Sequence, residues 1–237
     1  MIEHHTSLIS TNATLLERAR DGAPESLWVR ADSQTGGRGR QGRVWHSPPG
    51  NLYASTLVRL RPADPPAPTL ALVAAIAVYE AIVQRLPNPE ALRIKWPNDL
   101  LVDGAKLAGI LLERAGDAVV IGIGINLAFA PEVPERATTA LSDHAPVPDC
   151  APFCETLAEY FADELGRWRN FGLADTRNRW TNRALPHGTP LSHLQANGDR
   201  IEGLFERLDG DGNLVLRLSS GQSVTITAGD VDPLRDV

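Results

Sequence analysis

The chain has little lysine, little cysteine and no apolar run of transmembrane length. Of its 23 basic residues only Lys95 and Lys106 are lysines, and its two cysteines are Cys150 and Cys154. Two cysteines without a second pair do not complete a zinc site, so we expect idle thiols in a reducing cytoplasm. The apolar stretch at residues 69–83 is too short to cross a membrane and contains Glu80.

Charge and the first residues exclude further classes. A formal net charge of −6 counts against broad attraction to nucleic acid, although one basic loop can still bind phosphate. The opening MIEHHTSLIS lacks the basic start and apolar core of a secretory signal. We therefore expect a cytoplasmic protein without membrane association.

The pattern of apolar residues predicts a sheet flanked by helices. Capping residues and helical spacing predict helices, and alternating or apolar stretches bounded by turns predict largely antiparallel strands. The predicted helices cover residues 10–22, 70–86, 152–171 and 175–184. The predicted strands lie within residues 26–32, 51–60, 92–102, 106–115 and 118–128, and a loop covers 130–148.

The composition and hydrophobic pattern of the sequence change near Leu185. From Leu191 onward, short strands alternate with Gly, Asp and Asn turns, a pattern typical of a small β-barrel of about 50 residues. We therefore predict two domains, residues 1–185 and residues 186–237.

The segment GGRGRQGRVW at residues 36–45 contains Gly37, Gly39 and Gly42 at the spacing of a dinucleotide-binding loop. That function needs a helix directly after the loop, whereas here two prolines and a glycine lead into a strand, so a Rossmann site is rejected. A solvated loop without a function is the simplest alternative. Open glycine N–H groups, the forked side chains of Arg38, Arg40 and Arg43, and Trp45 favour anion binding instead.

A second polar cluster lies in KWPNDLLVDGAKLAGILLE, residues 95–113. Asn98 or Asp99 could simply cap a turn there, and GIGIN at residues 122–126 could simply be a tightly packed strand. The functional alternative is that Lys106 faces an anionic ligand, while glycines and Asn126 admit a ligand closely and hydrogen-bond its edge.

Together these segments resemble the biotin protein ligase family. The matching motifs occur in the family's order within about 120 residues: STN, GRGRQGRVW, PGNLY, KWPNDL, KLAGIL and GIGIN. The resemblance implies an α+β fold with a class II synthetase-like catalytic domain, a mixed and largely antiparallel sheet flanked by helices, followed by an SH3-like β-barrel. It also implies that biotin and ATP react to biotinoyl-5′-AMP, from which biotin passes to a lysine of a biotin carboxyl carrier domain.

The resemblance assigns two overlapping sets of binding residues. For biotin these are Ser10, Thr11, Asn12, Gln34, Arg38, Gly39, Arg40, Lys106, Gly109, Gly122 and Gly124. For ATP and the adenylate they are Arg38, Arg40, Arg43, Trp45, Asn98, Lys106 and Asn126, with Trp45 stacking on adenine and Asn126 binding its edge.

The same resemblance names catalytic residues. Lys106 and Arg40 are expected to neutralise the carboxylate and the α-phosphate as they meet, and Asp99 to orient or deprotonate the incoming lysine. No fixed metal site is predicted; Mg²⁺ is expected to arrive with ATP, near Asn98 or Asp99.

Other expectations concern partners and alternatives. Because STN begins at Ser10, we expect no helix-turn-helix domain and no DNA binding, and a homodimer is compatible with the sequence. A lipoate or octanoyl ligase of the same fold, or a biotin-binding protein without catalysis, are the alternative functions.

Overall fold

The larger of two sheets is antiparallel except for one parallel strand pair at its edge. The computed structural model describes residues 1–134, 136–195 and 198–234. Seven strands form the larger sheet: β1 (Ile2–His5), β2 (Trp28–Ala31), β3 (Leu52–Arg59), β4 (Leu92–Lys95), β5 (Asp99–Val102), β6 (Ala105–Ala115) and β7 (Ala118–Ile125). Their order is β1-β2-β3-β7-β6-β5-β4, and only the β1–β2 pair is parallel. The predicted mixed, largely antiparallel sheet is therefore confirmed.

Three helices accompany this sheet. They are α1 (Thr11–Arg20), α2 (Leu70–Val83) and α3 (Cys150–Thr181). The sequence analysis predicted two helical stretches where α3 lies. The run is interrupted at Gly172, whose φ of 76° is a conformation that glycine adopts without a steric penalty. Strand β1 was not predicted, because four residues with two histidines carry no clear strand pattern.

The core lies between the sheet and the pair α2 and α3. Helix α2 is apolar nearly all around, as expected for a buried helix. Trp168 of α3 is fully buried, and its indole N–H donates to Thr69 Oγ1 at 2.9 Å. Phe161 meets Trp28 of β2 edge to face, with ring centroids 5.7 Å apart. Helix α1 packs against strands β2, β3, β6 and β7, over a smaller apolar cluster that includes Leu15 and Val29.

The C-terminal part forms a second, five-stranded antiparallel sheet. Its strands are β8 (Pro190–Leu194), β9 (Arg200–Leu208), β10 (Leu214–Arg217), β11 (Ser223–Ile226) and β12 (Val231–Pro233). Their order is β11-β10-β9-β8-β12, and in the described residues this pairing is an open sheet, whereas the prediction was a barrel. The boundary predicted near Leu185 stays a prediction.

The two sheets are joined by polar contacts beside the KWPND segment. The indole N–H of Trp96 donates to the carbonyl oxygen of Gly212 at 3.1 Å, and Lys95 Nζ donates to that of Val231 at 2.7 Å. Both side chains are buried. The C-terminal sheet therefore packs directly behind the second predicted site cluster.

Two smaller expectations concern the thiols and the membrane. Cys154 is fully buried, and burial raises the pKa of its thiol to about 12, so it is inert as a nucleophile at neutral pH. Within the described ranges, we find no helix with both the length and the apolar character that a bilayer crossing requires.

Candidate active site

One cavity of about 300 Å³ collects the residues that the sequence analysis singled out. It lies at the end of α1, over the glycine-containing parts of β6 and β7, and beneath the arginine loop. The predicted residues that line it are Ser10, Thr11, Asn12, Gln34, Arg38, Gly39, Arg40, Arg43, Trp45, Asn98, Asp99, Lys106, Gly109, Gly122, Gly124 and Asn126. The arginine loop and Lys106 thus face the same space.

The first turn of α1 provides the polar end of the cavity. Ser10 caps the helix by accepting a hydrogen bond from the backbone N–H of Ala13 at 3.4 Å. The backbone N–H of Thr11 donates to Gln34 Oε1 at 2.8 Å, and Gln34 Nε2 donates to Ser47 Oγ at 3.1 Å. These bonds fix the orientation of the Gln34 amide before any ligand binds.

Asn12 is held more tightly than its neighbours. Its Nδ2 donates to Glu113 Oε2 at 2.7 Å, and its Oδ1 accepts from Ser55 Oγ at 2.6 Å. A Cβ atom at Gly122 would collide with the Asn12 amide, so β7 needs glycine where the amide lies against it. Ser55 and Glu113 were both missed by the sequence analysis.

The arginine loop closes on itself through its backbone. The N–H of Gly39 donates to the carbonyl oxygen of Arg43 at 2.7 Å, and the N–H of Trp45 donates to that of Gly37 at 3.0 Å. Arg38 bridges to Val44 in the same hairpin-like turn. The turn is closed further by Arg43 Nε, which donates to the carbonyl oxygen of Arg40 at 3.2 Å.

Two of these arginines share a carboxylate from the C-terminal sheet. Arg40 Nη1 donates to Asp230 Oδ1 at 3.0 Å, Arg40 Nη2 donates to the carbonyl oxygen of Gly229 at 3.2 Å, and Arg43 pairs with the second oxygen of Asp230. Arg40 Nη1 also lies 3.4 Å from Asn98 Oδ1. Asp230 had no signal in the sequence, because its relevance comes only from the packing of the second sheet.

A Lys–Asp–Lys cluster contributes Lys106 and Asp99 to the cavity wall, and its third member, Lys95, is buried outside the cavity lining. Lys95 Nζ lies 3.2 Å from Asp99 Oδ2, and Lys106 Nζ pairs with Asp99 Oδ1. Burial on its own would raise the pKa of Asp99, but the ammonium groups of Lys106 and Lys95 outweigh it and lower the pKa to about 2. Burial lowers the pKa of Lys106 below the usual lysine value, although Asp99 opposes the shift.

This cluster bears on the role predicted for Asp99. A carboxyl with a pKa of about 2 is a weak base at neutral pH, so its surroundings favour orienting Lys106 over accepting a proton. Both oxygens of Asp99 already pair with ammonium groups, so Asp99 is not suited to be a magnesium ligand. Within the described ranges no group of three His, Cys, Asp or Glu residues is placed to hold a metal ion.

Trp45 lies inside the cavity against the glycines of two strands. A Cβ atom at Gly124 would come within 2.6 Å of the indole, and one at Gly109 within 3.1 Å. Lys106 Nζ lies 5.4 Å from the ring centroid, within the range of a cation–π contact. The buried Trp45 Nε1 has no hydrogen-bond partner in the part of the chain that the structure describes.

The two asparagines predicted to bind nucleotide also support the backbone. Asn98 Nδ2 donates to the carbonyl oxygen of Ile110 at 2.5 Å. Asn126 Nδ2 donates to that of Thr139 at 3.1 Å, which ties the end of β7 to the loop predicted at residues 130–148. That loop also adds Arg136 and Thr138 to the cavity wall, a contribution that its Pro, Thr and Ala composition did not indicate.

Two family matches cover the larger sheet and the C-terminal sheet. Residues 6–126 match the biotin/lipoate A/B protein ligase family, and residues 193–232 match the biotin protein ligase C terminal domain. The first match ends at the asparagine that closes GIGIN, so it contains all the predicted site motifs.

Curated relatives and solved structures agree with these matches. A biotin--[acetyl-CoA-carboxylase] ligase of Paracoccus denitrificans is 39% identical over 235 residues, covering 94% of this chain and 96% of that protein. A ligase of the same description from Mycobacterium tuberculosis is 36% identical, covering 95% and 86%. A biotin protein ligase of Aquifex aeolicus in complex with biotin and ATP superposes with a TM-score of 0.84 at 25% identity, over 99% of both chains.

Proposed function

Because this chain belongs to the biotin/lipoate protein ligase family and carries the C-terminal domain of the biotin protein ligases, we infer that it is an ATP-dependent biotin–protein ligase. It joins biotin to ATP, giving biotinoyl-5′-AMP and pyrophosphate. It then passes the biotinoyl group to the ε-amino group of one lysine on a biotin carboxyl carrier domain. The acceptor follows from relatives described as acetyl-CoA-carboxylase ligases.

One observation carries the proposal: the arginine loop and the ammonium group of Lys106 line the same cavity. The first reaction brings two anions together, the carboxylate of biotin and the α-phosphate of ATP. Their repulsion is the main obstacle, and fixed positive groups at the meeting point lower it. The cavity offers Lys106 on one wall and Arg38, Arg40 and Arg43 on the other.

The binding roles divide the cavity into two ends. At the α1 end, Ser10, Thr11, Asn12 and Gln34 offer hydrogen-bond partners to the ureido ring, which needs them once it is buried. Between the two ends lie Gly109, Gly122 and Gly124, whose lack of side chains leaves room for the Trp45 indole and the Asn12 amide that the bound ligand would contact. At the other end, Trp45, Asn98 and Asn126 lie beside the arginine loop, where the adenylate would sit.

In the first step a carboxylate oxygen of biotin attacks the α-phosphorus of ATP. The bond from that phosphorus to the bridging oxygen breaks, and pyrophosphate leaves. Lys106 contacts both anions and holds the charge that collects on the phosphoryl oxygens, while Asp99 fixes the direction of its ammonium group. Mg²⁺ enters as part of the nucleotide substrate and supplies further positive charge at the phosphates.

In the second step the neutral amine of the acceptor lysine attacks the acyl carbon of the adenylate. The bond between that carbon and the phosphate oxygen breaks, AMP leaves, and the proton of the amine passes to solvent. Arg40 moves from Asp230 to the α-phosphate and stabilises AMP as the leaving group.

The test substitutes each of the two lysines by methionine. Lys106→Met should reduce biotin-dependent pyrophosphate release by about a hundredfold or more, the usual effect of losing one fixed donor in the transition state. Lys95→Met is the matched control, because Lys95 pairs with the same Asp99 but points to Val231 rather than into the cavity. It should mainly reduce stability.

Assays with biotin and with lipoate as the substrate distinguish this function from its alternatives. Biotin, and not lipoate, should stimulate pyrophosphate release, and intact mass should reveal a biotinylated carrier domain. A preference for lipoate would assign the chain to the other branch of the family. Biotin binding without transfer would indicate a sensor.

A further inference from the structure

Glu113 is a half-buried carboxylate next to the biotin end of the cavity that neither reaction step uses. It lies on β6, and its Oε2 accepts a hydrogen bond from Asn12 Nδ2 at 2.7 Å. In the described part of the chain no arginine or lysine forms an ion pair with it. Its one strong interaction is therefore with an amide that lies against the proposed ureido pocket.

This contact fixes which way a chain of hydrogen bonds runs. A carboxylate only accepts, so the Asn12 amide must turn its N–H₂ toward Glu113 and its oxygen toward Ser55. The distance from Ser55 Oγ to Asn12 Oδ1 is 2.6 Å, and Ser55 must donate there because Asn12 Oδ1 carries no hydrogen. Ser55 has then used its single hydroxyl hydrogen.

The next link follows by the same argument. Thr11 Oγ1 lies 2.7 Å from Ser55 Oγ, so the hydrogen in that contact must come from Thr11. Gln34 Oε1, at 3.2 Å from Thr11 Oγ1, is a second acceptor for the same hydrogen, but the contact with Ser55 is shorter by 0.5 Å and takes it. The hydroxyl hydrogen of Thr11 is thereby directed away from the cavity, and its lone pair is left for a ligand.

We propose that Glu113 is a positioning residue that sets the hydrogen-bond polarity of the ligand pocket through Asn12 and Ser55, so that Thr11 accepts from a ligand N–H. The proposal rests on the proposed function, since the N–H in question is one of the two in the ureido ring of biotin. Asn12, Ser55 and Thr11 are buried polar groups, and Ser55 is fully buried. In such surroundings a donor or acceptor facing the wrong way has no water to correct it.

Glu113→Gln tests the polarity directly. Glutamine has nearly the same shape but can donate from its own amide to Asn12 Oδ1. Asn12 can then turn over and donate to Ser55, Ser55 can donate to Thr11, and Thr11 can present a hydrogen to the cavity. The expected result is an increase of about tenfold or more in the KM for biotin, with kcat and the KM for ATP changed much less.

Discrimination between biotin and close analogues is a property that a purely structural role of Glu113 would not change. The probes are biotin and its two cyclic carbamate analogues, in each of which one ureido N–H is replaced by oxygen. The wild-type protein should discriminate against one of the two carbamates, because its oxygen would face the lone pair of Thr11. In Glu113→Gln this discrimination should fall by about tenfold, while Glu155→Gln, at an exposed site on α3, should behave as wild type.

Ser55→Ala provides a second, independent test by cutting the chain between Asn12 and Thr11. It should reduce the discrimination by itself, and Glu113→Gln should have no further effect on it in that background. Unchanged biotin KM and unchanged discrimination in both single variants would overturn the proposal, even with a fully active wild type. A wild type that neither binds biotin nor releases pyrophosphate would instead overturn the proposed function.

Discussion

Asp99→Asn is the substitution that most directly tests how the charged wall of the cavity works. Asp99 is 4% exposed and is the carboxylate between Lys95 and Lys106. Asparagine keeps its shape and removes its charge. The two ammonium groups are then left close together without the anion that separates them.

The two lysines lose different amounts. Lys95 keeps the carbonyl oxygen of Val231 and the carboxylate of Asp232, at 2.7 and 3.2 Å. In the described residues Lys106 keeps only the ring face of Trp45. Removing one partner of a buried ion pair typically costs about 3 to 5 kcal/mol in the free energy of unfolding.

Asp232→Asn is the matched control for stability. Asp232 also pairs with Lys95, but its side chain is 60% exposed, and such pairs contribute less than about 1 kcal/mol. Urea titrations of the two variants should differ accordingly. Acid adds a second signature: because the pKa of Asp99 is lowered from 3.8 to about 2, its stabilisation is complete above pH 4 and is lost as the pH falls through about 2. Asp99→Asn should lack this dependence.

The catalytic consequence should fall on the first step. Without Asp99 the pKa of Lys106 falls further, so a smaller fraction of the protein carries the charge that the adenylation step needs. Pyrophosphate release should slow, and its pH profile should decline at a lower pH than in the wild type. Single-turnover transfer from supplied biotinoyl-5′-AMP should change less. The reverse result, normal adenylation with slow transfer, would make Asp99 a proton acceptor and refute this reasoning.

Three further predictions concern the site and the core. In the wild type, kcat/KM for ATP should fall as the pH rises, and the fall should begin before pH 10.5 is reached, because burial lowers the pKa of Lys106 and its charge is lost earlier. A profile that stays flat up to pH 10.5 would contradict the need for this charge. Gly124→Ala places a methyl group within 2.6 Å of Trp45 and should raise the KM for biotin about tenfold in initial-rate measurements, whereas an unchanged KM would mean that the indole moves freely. Trp168→Ala should lower the free energy of unfolding, measured in urea, by about 3 to 5 kcal/mol, because Trp168 is fully buried. The control Phe171→Ala, at an exposed position, should lower it by less than about 0.5 kcal/mol. Similar values for the two variants would contradict the assigned core.

The parts of the fold and the site that depend on a local sequence pattern could be predicted from the sequence. Alternation of apolar and polar residues predicted β3, and a continuous apolar stretch predicted α2, which is buried nearly all around. The glycine- and arginine-rich segment and KWPND identified eight of the residues that line the cavity, since their composition is unusual for a core or a plain turn.

The remainder depends on contacts between residues far apart in the chain. Asp230 reaches the arginine loop from a different sheet, and no local pattern connects residues 190 positions apart. Ser55 and Glu113 lie on strands whose pattern predicts only a sheet, and their importance comes from the side chain that meets them. Ser55 had the one usable signal, a polar residue in the centre of a buried strand.

The placement of the two lysines has a practical consequence for handling the protein. The side chain of Lys95 is 4% exposed and that of Lys106 is 14% exposed. A fluorophore or surface tether delivered as a succinimidyl ester should therefore couple poorly to Lys95, and any coupling at Lys106 should obstruct the cavity that this residue lines. Labelling that preserves the cavity therefore needs a chemistry directed at a side chain other than lysine.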